Sequence, residues 1–332
     1  MFKKRTIAVL SLVSTLLIPS AYSQEKDAAT AWQEITEKGI EQKFQSVHVE
    51  GDLKVSIESQ DMASDLGKIN LDLLVNDEPI AFQVVADAAS PFLGNAPIAF
   101  ELYAKDGFTY TLDGHSGQWK VEEWGSSSEE IKAEFEKLSQ KMVDKYSFDE
   151  LTADQTDFIN KYLDFKEEGT DYLFSFKKEI DGKEFYADLD AAFDLEKLIE
   201  ETVKEAKKQA EDLGEEANPQ YESGLKEMLN PENFKVFFDM NPSVETTYDS
   251  QTGMVKDVKI SIDLGQEFLK SVIETGDPES VPEKVNVEFN LAYDQYGQAP
   301  AVQVPEEAMN QDETEETDEL DSSSLEETTV AQ

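Results

Sequence analysis

The chain has 332 residues, no cysteine, and 72 Asp and Glu against 29 Lys and Arg, giving a formal charge of −43 at pH 7. Without cysteine there is no disulfide, no thiolate metal site, no cysteine nucleophile and no lipidated cysteine anchor. A field this negative repels nucleic acid and anionic membrane surfaces, which excludes DNA and RNA as partners.

Residues 1–23 read as a secretory signal peptide. Met1-Phe2-Lys3-Lys4-Arg5 is a cationic start, and the run from Ile7 to Ile18 carries no charge before Pro19 and Ser20 break it. That run is shorter than the roughly 20 apolar residues of a membrane span. Ala21 and Ser23 are small, as cleavage before Gln24 requires. An exported chain without disulfides must hold itself with an ordinary core, and residues 24–308 are long enough to bury one.

A helix is expected over Ala28 to Gln42, with Trp32, Ile35, Ile40 and Phe44 recurring at helical spacing. The period then changes to two. Val47, Val49, Leu53, Val55 and Ile57 alternate with polar neighbours, as do Ile69, Leu71, Leu73 and Val75. Ile80 to Ala86, Ile98 to Ala104, Phe108 to Leu112 and Gln118 to Val121 complete an antiparallel meander of about six strands. Asp106-Gly107 and Asp113 to Gly117 are its last two turns. Ser126-Ser127-Ser128 opens a helix with an apolar stripe at Ile131, Phe135, Leu138 and Met142. A second helix is expected over Thr152 to Leu163, burying Phe158, Ile159 and Tyr162.

Strands resume at Tyr172, Phe174 and Phe176, and Asp181-Gly182 reads as a hairpin turn into a strand through Phe185, Ala187 and Leu189. Asp194 is the expected N-cap of a long helix ending at Gly214, and Tyr221 to Leu229 forms a shorter one. Four further strands follow: Phe234 to Met240, Val244 to Tyr248, Val255 to Asp263, and Val285 to Tyr293. Residues 309–332 are rich in Asp, Glu, Ser and Thr and read as a disordered acidic tail. The three bases of the signal and eleven acids from Glu306 onward leave about −35 on residues 25–305, so the body itself is acidic. Two strand-rich halves with no clear linker predict an α+β fold with a mainly antiparallel sheet.

Catalytic material is scarce. The two histidines, His48 in a strand and His115 in a turn, lie far apart in sequence and read as structural or exposed. Ser175-Phe176-Lys177-Lys178 matches S-x-x-K, as does Ser223-Gly224-Leu225-Lys226, but neither comes with S-D-N or K-T-G. No hydrolase elbow or phosphate-cradling glycine loop occurs. Asp188, Asp190 and Asp194 cluster, yet Phe193 stands where a calcium loop needs glycine. The expectation is therefore a non-enzyme without metal or cofactor. Carboxylates are too abundant for any pair to stand out as a glycosidase couple.

The aromatic residues stand out more. Phe100, Phe108, Tyr110, Trp119, Phe174, Phe176 and Phe289, all on expected strands, are the candidate lining of an apolar cavity; ordinary core packing is the plainer reading of the same residues. Phe185, Phe237 and Phe238 are also expected on strands.

The stretch Tyr103-Ala104-Lys105-Asp106-Gly107-Phe108-Thr109-Tyr110, continued by Gly117-Gln118-Trp119-Lys120, resembles a hairpin of exported Gram-positive proteins and lipoproteins. Tyr248-Asp249-Ser250-Gln251-Thr252-Gly253 and Val302-Gln303-Val304-Pro305 are similar to that group as well. The group in turn resembles the LolA-like and mycobacterial lipid-carrier superfamily. Over residues 28–308 the resemblance implies a curved half-barrel sheet whose concave face is covered by helices, with a lipid or other apolar small molecule bound between. Many relatives are anchored through a lipidated cysteine. With none here, the expectation is release into the medium or cell-wall association in a Gram-positive-type bacterium. The alternative is an acidic surface module without a cavity, whose partners are cations or basic envelope components.

The intact mass of the exported protein is expected to start at Gln24; retention of residues 1–23 would mean an uncleaved anchor.

Overall fold

The computed structural model describes residues 26–42, 46–59, 62–91, 98–114, 116–123, 129, 131–133, 150–212, 221–272 and 281–310. The expected signal peptide, His115, Phe44, nearly all of the acidic tail and most of the helix expected from Ser126 lie outside them.

One 11-stranded antiparallel sheet organises the chain, an α+β fold with a curved sheet not closed into a barrel. Its first six strands are β1 (Val47–Ser59), β2 (Met62–Asp77), β3 (Ile80–Ala89), β4 (Ile98–Lys105), β5 (Phe108–Asp113) and β6 (Gln118–Glu123). These follow one another as neighbours, the meander that the period-two alternation predicts. Asp106 and Gly107 both have positive φ, 54° and 90°, the geometry of a two-residue hairpin turn whose twist matches that of its strands.

The second half adds β7 (Leu163–Glu168), β8 (Asp171–Phe176), β9 (Ser243–Asp249), β10 (Val255–Gly265) and β11 (Lys284–Asp294), again as sequential neighbours. The halves join where β1 pairs with β11, from His48 opposite Asp294 to Glu58 opposite Lys284. The strand order is thus β6-β5-β4-β3-β2-β1-β11-β10-β9-β8-β7, with β6 and β7 as edges.

Directly paired residues share a face, so the registers sort the side chains. One face runs from Ile98, Phe100 and Leu102 on β4 through Val84 and Ala86, Leu71 and Leu73, Val49 and Leu53 to Phe289 and Leu291. It continues through Val258 and Ile260, Val244 and Tyr248, Tyr172 and Phe174, to Phe165. That face is apolar. At β5 and β6 the pattern reverses: Thr109, Thr111, Lys120 and Glu122 fall on this face, and Tyr110, Leu112, Trp119 and Val121 on the other.

Two cores follow. The larger lies on the apolar face at the β7–β10 end, under α1 (Ala28–Glu41), α2 (Ala153–Tyr162), α3 (Gly182–Phe193), α4 (Leu195–Asp212), α5 (Tyr221–Met228) and α6 (Pro231–Asp239). Phe185 is its hub, with ring centroids 4.7–6.0 Å from those of Phe158, Tyr162, Phe176, Phe234 and Phe238. The smaller lies on the opposite face, where Tyr103 and Trp119 pack with Leu74, Ala81, Val302 and Ala308. Asn76 holds that C-terminal strap: Val302 N donates to Asn76 Oδ1 at 2.7 Å, and Asn76 Nδ2 donates to Pro300 O at 2.9 Å. The strap ends in a short helix, α8 (Glu306–Met309), and α7 (Gln266–Val272) lies beside β10.

Two segments expected as strands are helices. Phe185, Ala187 and Leu189 lie on α3, and Phe234, Phe237 and Phe238 on α6. Their caps explain it. Asp181 Oδ1 accepts from the amides of Lys183 and Glu184, both at 2.9 Å, and Asn230 Oδ1 accepts from Asn233 N at 3.0 Å ahead of Pro231 at the helix start. Asp194 does cap α4, accepting from Lys197 N at 3.1 Å. Edge strand β7 has no counterpart in the sequence reading, because Leu163 and Phe165 are its only large apolar residues.

Helix α1 is tied to the sheet by Glu34. Lys26 Nζ sits 2.9 Å from Glu34 Oε2, Lys38 Nζ 2.6 Å from Oε1, and the Tyr172 hydroxyl donates to Oε2 at 3.0 Å. The turn between β9 and β10 presses on the same helix, so closely that a Cβ on Gly253 would lie 2.2 Å from Ile35 O, and φ there is +73°. Burial raises the Glu34 pKa, but hydrogen bonds from Lys26, Lys38 and Tyr172 outweigh it and leave it below its ordinary value of 4.5.

Phe185→Ala is expected to lower unfolding free energy by about 3–5 kcal/mol in denaturant titrations, whereas Phe100→Ala, half-exposed on β4, costs under about 1 kcal/mol. A carboxyl held below its unfolded pKa stabilises above pH 4.5 and loses that contribution as pH falls through the lower folded value. Wild type is therefore expected to be more stable than Glu34→Gln at pH 7, with their denaturation midpoints converging as pH falls below 4.5 through the lowered folded value. A gap unchanged by pH would show that the Glu34 charge contributes nothing.

Candidate functional site

The seven aromatic residues proposed from sequence as a cavity lining divide between the two faces of the sheet. Phe100, Phe174, Phe176 and Phe289 point to the apolar face; Phe108, Tyr110 and Trp119 point to the other. Phe174 and Phe176 belong to the large core, where Trp32 meets Phe174 edge-on at 5.2 Å. The void beside them, bordered by Leu163, Val244 and Thr246, is about 10 Å³. That is room for about one water molecule and none for a lipid chain. Trp119 is buried beneath the C-terminal strap, with Tyr110 packed against the same cluster.

Phe100 has a different setting. It is 42 % exposed, as are Ile98 and Ile69 at 41 % each. Ile69, Ala88 and Ile98 form one row across β2, β3 and β4, and Leu71, Ala86 and Phe100 form the next. Alanine on the middle strand, with larger side chains on each flank, makes a shallow apolar trough. Phe289 lies further along this face, paired with Leu53 and Ile260 and partly buried. In the sequence, Ala86 and Ala88 are the available signal for the trough: small residues alternating with polar ones in an otherwise large-residue strand.

The opposite face of the central strands is polar. An open groove of about 400 Å³ crosses β1, β2, β3, β10 and β11, lined in part by Glu50, Asp52, Asp72, Asp87 and Asp257 against Lys68 and Lys259. At its end His48 sits between two carboxylates, Nδ1 at 2.7 Å from Asp294 Oδ1 and Nε2 at 3.2 Å from Asp72 Oδ2. Burial lowers the imidazole pKa, but those hydrogen bonds and the two negative charges outweigh it and raise it above its ordinary value. The sequence leaves His48 as an isolated strand residue, because its partners come from β2 and β11, the latter 246 residues away.

The three clustered aspartates of the α3 region have separate tasks. Asp188 accepts from Lys161 and the Tyr162 hydroxyl at 2.6 Å each, Asp190 accepts from Leu195 N, and Asp194 caps α4. Among the described residues, no helix is long and apolar enough to cross a membrane.

The fold and its two faces define an open antiparallel α+β sheet protein, apolar on one side of its central strands and acidic on the other. No protein-family model matches the chain, and no curated protein matches it in sequence.

Proposed function

We propose that the protein is an exported, non-enzymatic binding protein for a lipid or other apolar molecule, seated on the apolar face between β2 and β4. The observation that carries this reading is the half-exposure of Ile69, Ile98 and Phe100 in two adjacent rows around Ala86 and Ala88. Helices cover the same face at the β7–β10 end, so one continuous apolar surface is packed at one end and left accessible at the other. Resemblance to exported lipid-carrier half-barrels points the same way. The mechanism is burial alone, at about 25 cal/mol per Å² of apolar area removed from water, with no covalent step. The signal-like N-terminus and the missing cysteine favour release into the medium or non-covalent association with the cell envelope.

The test combines mass spectrometry of organic extracts from purified protein with uptake of a fluorescent fatty acyl probe. A recurring stoichiometric lipid and saturable uptake are expected. Phe100→Ala should weaken probe binding by about 1 kcal/mol, roughly fivefold, and Phe100→Asp by more than about tenfold, with circular dichroism unchanged. A clean extract together with no probe uptake would refute the proposal.

A further inference from the structure

We propose that His48, Glu50 and Asp72 form a binding site for one divalent transition-metal ion of the zinc class on the polar face of the sheet. This inference is independent of the apolar-ligand reading, since it concerns the opposite face.

The donor set is mixed, an imidazole nitrogen with two carboxylates, the combination zinc accepts at bond lengths of about 2.0–2.2 Å. Strand geometry assembles it. His48 and Glu50 are two residues apart on β1 and so share a face, and Asp72 on β2 lies directly opposite Glu50. One ligand atom from each lies within 4.8 Å of the others. The Nε2 to Asp72 Oδ2 separation of 3.2 Å is close to the spacing, about 3.3 Å, of two ligands on a tetrahedral ion.

The surroundings orient these donors. Asp294, opposite His48 on β11, accepts a hydrogen bond from Nδ1 at 2.7 Å, with Nε2 facing Asp72. Gln83 Nε2 donates to Asp72 Oδ1 at 3.2 Å and leaves Oδ2 facing the histidine. A carboxylate holding the far nitrogen of a ligating histidine is the usual outer support of such a site. The His48 side chain is only 13 % exposed, anchored on the central strand of the sheet, whereas Glu50 is exposed and free to swing onto the ion. Without metal, Asp72 and Asp294 hold the imidazole through its two ring nitrogens. On binding, the ion takes the place of any proton on Nε2, which leaves to solvent. Water in the adjoining groove completes the coordination.

The test is calorimetric titration of the purified chain with Zn²⁺ in the presence of millimolar Ca²⁺, which occupies any diffuse acidic coat. One zinc per chain is expected. His48→Ala should weaken binding at least about hundredfold and Asp294→Asn about 10–100-fold, while His115→Ala leaves it unchanged. Should His48→Ala fail to fold, exposed Glu50→Gln reads the same site and is expected to weaken zinc about tenfold. No saturable zinc binding, binding abolished by Ca²⁺, or binding that survives both His48→Ala and Glu50→Gln would overturn the proposal.

Discussion

The pairing of β1 with β11 is the joint on which the rest of the molecule depends. Each half of the sheet is a series of local neighbours, β6 to β1 in one and β11 to β7 in the other, and within the sheet this ladder joins them. It runs from His48 opposite Asp294 to Glu58 opposite Lys284, closing a loop of more than two hundred residues. The entropy of that closure is recovered because β1 and β11 place Val49 and Leu53 beside Tyr293 and Phe289 on one apolar face. A one-residue slip would turn that whole row outward, so hydrophobic burial sets the register. The sheet stays open, and its edge strands carry charge: Lys120, Glu122 and Glu123 on β6, Asp164, Lys166, Glu167 and Glu168 on β7. Charged edges discourage pairing with a second chain.

Register also divides the chemistry of the two faces. Alternation on eleven strands would make one apolar and one wet side throughout, but at β5 and β6 the large residues fall on the other side, where the 299–309 strap covers them. The reversal lets a single sheet carry two cores. It leaves the β2–β4 end of the main apolar face to Ile69, Ile98 and Phe100, which lie outside both core clusters of the described residues. On the reverse face, across β1, β2 and β11, the carboxylates of Glu50, Asp72 and Asp294 converge on His48. Apolar and ionic features thus share a backbone and remain separated by the thickness of the sheet.

Much of the strand pattern was legible. Val47 to Ile57, Ile69 to Val75 and Val285 to Tyr293 alternate cleanly because each strand buries one face, and Thr152 to Leu163 shows its helical stripe through Phe158, Ile159 and Tyr162. Phe185, Ala187 and Leu189 also sit at period two, yet they lie on a helix that buries Phe185 and Leu189, four residues apart. Short apolar runs satisfy both periods, and the deciding signals were the caps at Asp181 and Asn230. The aromatic set was only partly informative as a site. Composition marks Phe174 and Phe100 alike, while packing buries the first under α1 and leaves the second half-exposed.

The sequence by itself determined the acidic, cysteine-free character, the antiparallel α+β class and most strand positions, since these depend on composition and on period within a few neighbouring residues. Only the tertiary structure decided that β1 meets β11, that the apolar face reverses at β5, and which side chains remain accessible. It also decided that His48 meets Asp72 and Asp294. The physical reason is range: alternation reports which residues share a face of one strand, but the partners across that face are chosen by the burial of the whole sheet.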